Sequence, residues 1–222
     1  MKTLTTILTL TAILSVTPLA HADTIPLGGS GWEATISDNV NVDILVDAEN
    51  EHYVLIEIIK TFTAPPQGGV FPGISIDFTQ VSPDTDTVSI IVLNDEIITN
   101  NTGYDWTDYH WSLEGPAAFS ISATEGSGFD IDPFTNADWT PKAGWSPDFA
   151  SALNLDGGTV AAGSTFSPGL DTGAMLIQLD LSEPDAAGFT LTQNPTPEPA
   201  TMLLLAAGLP LLARRKRTAS RS

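Results

Sequence analysis

Cysteine is missing from all 222 residues. No disulfide can staple this fold, no thiol can act as a nucleophile, and thiolate metal sites are excluded. Positive charge is nearly missing too: eight Lys and Arg stand against twenty-seven Asp and Glu, for a formal charge of −19. The few cations are also badly spread. Lys2 opens the chain and Arg214, Arg215, Lys216, Arg217 and Arg221 close it, so Lys60 and Lys142 are the only cations within the acidic stretch from Asp23 to Glu198. A field of that sign repels nucleic-acid phosphate and anionic headgroups, which argues against nucleic acid as a partner and favours cationic partners or divalent ions. Catalytic signatures are absent as well. There is no Gly-x-Ser-x-Gly elbow, Walker A loop, dinucleotide fingerprint or His-Glu-x-x-His. Among so many acids some carboxylate pair must fall close together, so a glycosidase-type pair carries no weight from sequence alone. The expectation is a non-enzyme, with a secreted carbohydrate-active hydrolase as the alternative.

Long apolar runs are confined to the two ends. The first, "MKTLTTILTLTAILSVTPLAHA", has one Lys, a Thr-diluted apolar stretch, Pro18, and small residues at Ala20 and Ala22. That is the pattern of a secretory signal peptide over residues 1–22, cut by signal peptidase after Ala22, with an uncleaved anchor as the alternative. The second, Ala200 to Ala213, lies between Pro197-Glu198-Pro199 and the basic cluster Arg214 to Arg217. As a helix, fourteen residues span about 21 Å, short of a bilayer core of roughly 30 Å. Its apolar residues cover every face, which places such a helix in a protein core or in lipid. The basic cluster decides for lipid, because long cationic side chains snorkel to headgroups and stay on the cytoplasmic side.

A Pro-Glu-Pro triplet, a short apolar helix and an Arg-rich terminus, in that order, resemble the PEP-CTERM family over about the last twenty-six residues. The resemblance implies sorting by exosortase, a membrane protease that recognises and cleaves near the triplet, in Gram-negative bacteria that make exopolysaccharide. Pro197, Glu198 and Pro199 would be the recognition triplet, residues 200–213 a transient membrane anchor, and Arg214, Arg215, Lys216 and Arg217 the stop, with 218–222 a cytoplasmic stub. Thr196, where an aliphatic residue is common, and Pro210 within the helix depart from the pattern. A permanent bitopic anchor would use the same residues.

Between the ends, residues 23–181 read as an antiparallel β-sandwich domain. His52 to Lys60 and Thr87 to Leu93 are the strongest strands, rich in Val and Ile and too short for typical helices. Weaker candidates are Trp32 to Ile36, Val42 to Val46, Ile74 to Thr79, Ala118 to Ala123, Ala174 to Leu181 and Phe189 to Thr192. Turn punctuation such as Pro65-Pro66-Gln67-Gly68-Gly69 and Gly157-Gly158 separates them. Asp132 to Gly173 is expected to be a long loop excursion, and 182–196 a Pro-containing linker to the membrane.

Three segments carry candidate chemistry. "NNTGYDWTDYHWSLEG", Asn100 to Gly115, holds Tyr104, Trp106, Tyr109 and Trp111 among acids and His110. On a strand, Tyr109, Trp111 and Leu113 share one face, and Asp108, His110 and Ser112 the other. The aromatics either pack the core or present a stacking platform for sugar rings. Asn100-Asn101-Thr102 is formally a glycosylation sequon, most simply a chance match in a bacterial export context. Asp84 with Asp86, and Asp130 with Asp132, place carboxylate pairs in turns that suit calcium, though neither fits an EF-hand loop. The functional expectation is an exported surface or exopolysaccharide-matrix protein, structural or adhesive, with no cofactor beyond candidate calcium.

Overall fold

The computed structural model describes residues 23–36, 41–81, 87–182 and 187–197. The signal peptide, Asp84 and Asp86, Glu198, Pro199 and the whole of the expected membrane helix and basic cluster lie outside the described residues. In chain order the elements are β1 (Asp23–Pro26), β2 (Trp32–Ile36), β3 (Asn41–Glu49), β4 (Tyr53–Phe62), β5 (Ile74–Gln80), β6 (Ile90–Asn100), β7 (Trp106–Glu114), β8 (Ala117–Ser120), α1 (Ile121–Gly126), β9 (Asn136–Pro141), β10 (Phe149–Asp156), β11 (Thr165–Phe166), β12 (Met175–Leu179) and β13 (Gly188–Pro197). The protein is mostly β.

Hydrogen bonding joins the strands into one large sheet of order β1-β2-β5-β13-β7-β10-β8-β12-β6-β4-β3, with β11 added against β6 and β9 against β10. The pairing of β4 with β6 is parallel and the others are antiparallel. Three strands separate β7 from β6 in this order, yet the Trp111 indole of β7 donates to Glu96 of β6 at 2.8 Å. Such a contact requires the sheet to curl until β7 faces β6 across the interior, so it is nearly closed around a single core.

Alternation builds that core. In β4, Val54, Ile56, Ile58, Lys60 and Phe62 point inward and the residues between them outward, as the pleat of a strand demands. In β6 the register with β4 slips between Leu93 and Asp95, leaving Asn94 as an extra residue. A bulge of this kind reverses which parity faces inward. Ile91 and Leu93 are buried before it, and Glu96, Ile98 and Asn100 after it. The bulge is therefore what turns the Glu96 carboxylate into the core.

Two sequence expectations are corrected here. The expected linker 182–196 is a strand from residue 188 on: the candidate strand Phe189 to Thr192 extends through Pro197 as β13, which pairs with β5 on one side and β7 on the other. Its prolines suggested a linker because proline cannot donate to a ladder. They are tolerated because pairing with β5 ends at Gln193, so Pro195 and Pro197 lie where only β7 is a neighbour. The expected loop excursion from Asp132 to Gly173 contains β9, β10 and β11, and β10 sits inside the sheet between β7 and β8. Ala150, Leu153 and Leu155 of β10 are buried, while Phe149 and Ala152 are partly so.

Candidate functional site

The segment from Asn100 to Gly115 is the heart of the molecule rather than a surface. Trp106, Tyr109 and Trp111 are wholly buried and Tyr104 half-buried. The Trp106 ring meets Phe62 edge-on at 5.3 Å, and Tyr109 meets Trp111 at 4.6 Å and Phe166 at 5.4 Å. The ligand-facing reading is corrected for Trp106, Tyr109 and Trp111, whose rings pack on one another as large rings do in a core, and Tyr104, half-buried, meets Phe71 edge-on at 6.4 Å. The expected alternation itself holds, with Tyr109, Trp111 and Leu113 inward and Asp108, His110 and Ser112 outward. His110 is held on the outer face between Asn154 Oδ1 at 2.8 Å and Thr196 Oγ1 at 2.9 Å. Asn100 is no glycan acceptor in this fold. Its buried amide donates to the carbonyls of Tyr104, Val160 and Ala161 and accepts from Thr102.

Inside the core lies a polar cluster that the sequence reading did not single out. Lys60, Glu96 and Gln193 come from β4, β6 and β13 and are 0, 2 and 1% exposed. Glu96 Oε1 accepts from Lys60 Nζ at 2.8 Å and from Gln193 Nε2 at 2.8 Å, while Glu96 Oε2 accepts from the Trp111 indole. Gln193 Oε1 accepts from Lys60 Nζ and from the Tyr109 hydroxyl, the latter at 2.9 Å. Burial pushes the Lys60 amine below its usual pKa, against the opposing pull of Glu96. Burial, and then the Glu96 charge, push the Tyr109 phenol well above its usual value, so it remains a neutral donor. Among the described buried side-chain nitrogens and oxygens none lacks a partner. The available signal was Lys60 itself, one of two interior cations, in a strand otherwise rich in Ile and Val.

On the surface, an open cleft of about 370 Å³ is lined by Gly144, Trp145, Leu179 and Asp180. Trp145 is half-buried and its ring is braced edge-on by Phe149 at 5.2 Å. The indole N–H groups of the other four tryptophans bond to Val88, Thr102, Glu96 and Glu125, whereas that of Trp145 has no hydrogen-bond partner among the described residues. Hydrogen bonds from the Ser182 hydroxyl and backbone hold the exposed Asp180 carboxyl below its ordinary range, so it is ionised beside that ring. A second cleft of about 350 Å³ is lined in part by Asp77, Glu114 and Thr190. Thr190 is the register partner of both acids and donates to Asp77 at 2.6 Å.

The remaining expected site residues disperse. Asp130 and Asp132 are exposed, and Asp130 Oδ1 accepts the Asp132 backbone N–H at 3.0 Å, a local turn bond. Among the described residues no three His, Asp or Glu side chains converge as metal ligands. No helix among them is long and apolar enough to cross a membrane. Pro197 ends β13, so the triplet starts inside the sheet. Comparison with protein-family models, with curated proteins and with solved structures finds no match.

Proposed function

We propose that this chain is an exported cell-surface or exopolysaccharide-matrix protein, structural or adhesive, delivered by a PEP-CTERM-type tail. Signal peptidase and an exosortase-type protease would process its ends, and the C-terminal helix would tether it to the inner membrane until the second cut. The observation that carries this reading is the ordered tail of Pro197-Glu198-Pro199, residues 200–213 and Arg214 to Arg217. In this reading the curled sheet is a sandwich, its layers meeting where β4 and β6 face β7 and β13. Polysaccharide is the partner, and the Trp145 cleft is its binding place. An aromatic face stacks on the apolar side of a pyranose while an N–H and a carboxylate take hydroxyls. The acidic surface selects for neutral sugar over acidic polymers.

Titration of the full chain with cellohexaose, followed by tryptophan fluorescence, tests it. Saturable binding should weaken about tenfold or more in Trp145→Ala, a loss of roughly 1.4 kcal/mol, and be kept in Trp139→Ala. Absence of binding, or full binding by Trp145→Ala, overturns the cleft assignment.

A second reading, a carbohydrate hydrolase, rests on Asp77 and Glu114 flanking Thr190 in one cleft. Two strand spacings put their backbones about 10 Å apart, a span across which two carboxyl groups can reach the roughly 6.5–9.5 Å that an inverting pair uses. Release of glucose oligomers from the same substrate, abolished by Asp77→Asn and by Glu114→Gln, would favour it.

A further inference from the structure

The buried cluster of Lys60, Glu96 and Gln193 has the parts of an acyl-transfer site. Lys60 Nζ donates to Gln193 Oε1, which puts the amine one hydrogen bond beyond the acyl carbon's oxygen. Glu96 Oε1 bonds both the amine nitrogen and the amide nitrogen, each at 2.8 Å. The Tyr109 hydroxyl donates to the amide oxygen at 2.9 Å. The direction of the carboxamide follows from its partners: two donors surround its oxygen and a carboxylate faces its nitrogen.

From this geometry we propose that Lys60 and Gln193 become joined by a self-catalysed isopeptide bond, a covalent cross-link between β4 and β13. The Glu96 carboxylate takes a proton from the Lys60 ammonium, and the freed Nζ lone pair attacks Gln193 Cδ. The amide oxygen gains negative charge and is met by the Tyr109 O–H, a donor fixed before the reaction begins. Glu96 moves a proton from Nζ to Nε2, the Cδ–Nε2 bond breaks, and ammonia leaves. Lys60 has then exchanged two N–H bonds for one N–Cδ bond, Gln193 has lost its amide nitrogen, and the departing ammonia carries off as ammonium the proton left on Glu96, with no oxidant, reductant or co-substrate consumed. Trp111 is a positioning residue, holding Glu96 Oε2 so that Oε1 faces both nitrogens.

The surroundings suit the step. Burial favours the uncharged amine that attacks. Holding the reacting groups together replaces an encounter with a unimolecular event, and a dry core disfavours competing hydrolysis. The bond also has a structural role in a chain without cysteine. β4 and β13 are not neighbours in the sheet order, and β13 is the last strand among the described residues. A cross-link there ties β13 straight across the core, and closing so long a loop restricts the unfolded chain.

The test is the mass of the full chain, purified folded and then denatured. The wild type should weigh about 17 Da less than its sequence after allowance for terminal processing, the mass of one ammonia. Digestion with an Asp/Glu-specific protease should yield one branched peptide joining the Lys60 and Gln193 fragments. Glu96→Gln and Lys60→Arg should both have their full sequence mass and give two separate peptides. Should either variant fail to fold, the wild-type digest still decides. Full sequence mass in the folded wild type, a loss of ammonia mapped to another residue, or a branched peptide that persists in Glu96→Gln would each overturn the proposal as stated.

Discussion

Lys60 Nζ lies 2.8 Å from Glu96 Oε1 with both side chains almost wholly withdrawn from water. Such a pair is a poor way to gain stability, because desolvating two charges costs about as much as their attraction returns. Its presence is better explained by what it does to Gln193, which bonds to both partners and lies on the final strand of the sheet. The cluster fixes the register of three strands at one point and gives the core its sole ionic contact among the described residues.

Because Phe189, Leu191 and Gln193 are inside the core, β13 is part of the domain. A chain ending at Ser182 should fail to give a cooperative unfolding transition, while one ending at Pro197 should unfold as sharply as the full chain. Urea titration followed by circular dichroism separates the two. A cooperative transition in the shorter chain would restore the linker reading.

Asn100 ties β6 to the loops around Tyr104 and Val160 through five hydrogen bonds. Asn100→Ala removes all five and leaves the buried Thr102 backbone N–H without its acceptor, while the carbonyls of Tyr104, Val160 and Ala161 keep Thr102, Trp106 and Ser164 as donors; the expected cost is about 2–3 kcal/mol. The denaturant midpoint should fall with an unchanged slope. A loss within experimental error would mean that water replaces the amide.

At the turn between β7 and β8, Gly115 has φ +91°, and a Cβ there would stand 2.6 Å from the Gly188 carbonyl oxygen. Gly103 has φ +81° and open space around it. Gly103→Ala should cost only the left-handed backbone penalty of about 1 kcal/mol, and Gly115→Ala clearly more. Equal losses would show that β13 can move aside.

Tyr109 holds its proton more tightly in the folded chain than in the unfolded one. Its contribution to stability is therefore complete below the unfolded value of about 10 and is lost as pH rises above it, since the unfolded state ionises first. The melting temperature should drop above pH 10 in the wild type and drop less in Tyr109→Phe. Identical alkaline profiles would remove Tyr109 as the cause.

The strands with plain alternation were legible in the sequence. Trp32 to Ile36 is β2, and His52 to Lys60 overlaps nearly all of β4. Of β13 only Phe189 to Thr192 was legible, its prolines hiding the continuation to Pro197, and β10 was hidden by a segment rich in Gly, Pro and Asp. The aromatic segment was legible as a two-faced strand, but which face met solvent depends on partners far away in sequence. The Lys60 cluster was the least legible part. It draws on three strands and needs a bulge at Asn94 to turn Glu96 inward, and neither fact has a local signature.

The most direct test of the functional account is the intact mass and location of the protein recovered from the bacterium that makes it. The account predicts a product beginning at Asp23, ending close to the triplet at Pro197 to Pro199 with β13 complete, and found outside the membrane with the polysaccharide. A product that keeps Ala200 to Arg217 and stays in the membrane would contradict it and establish a permanent anchor.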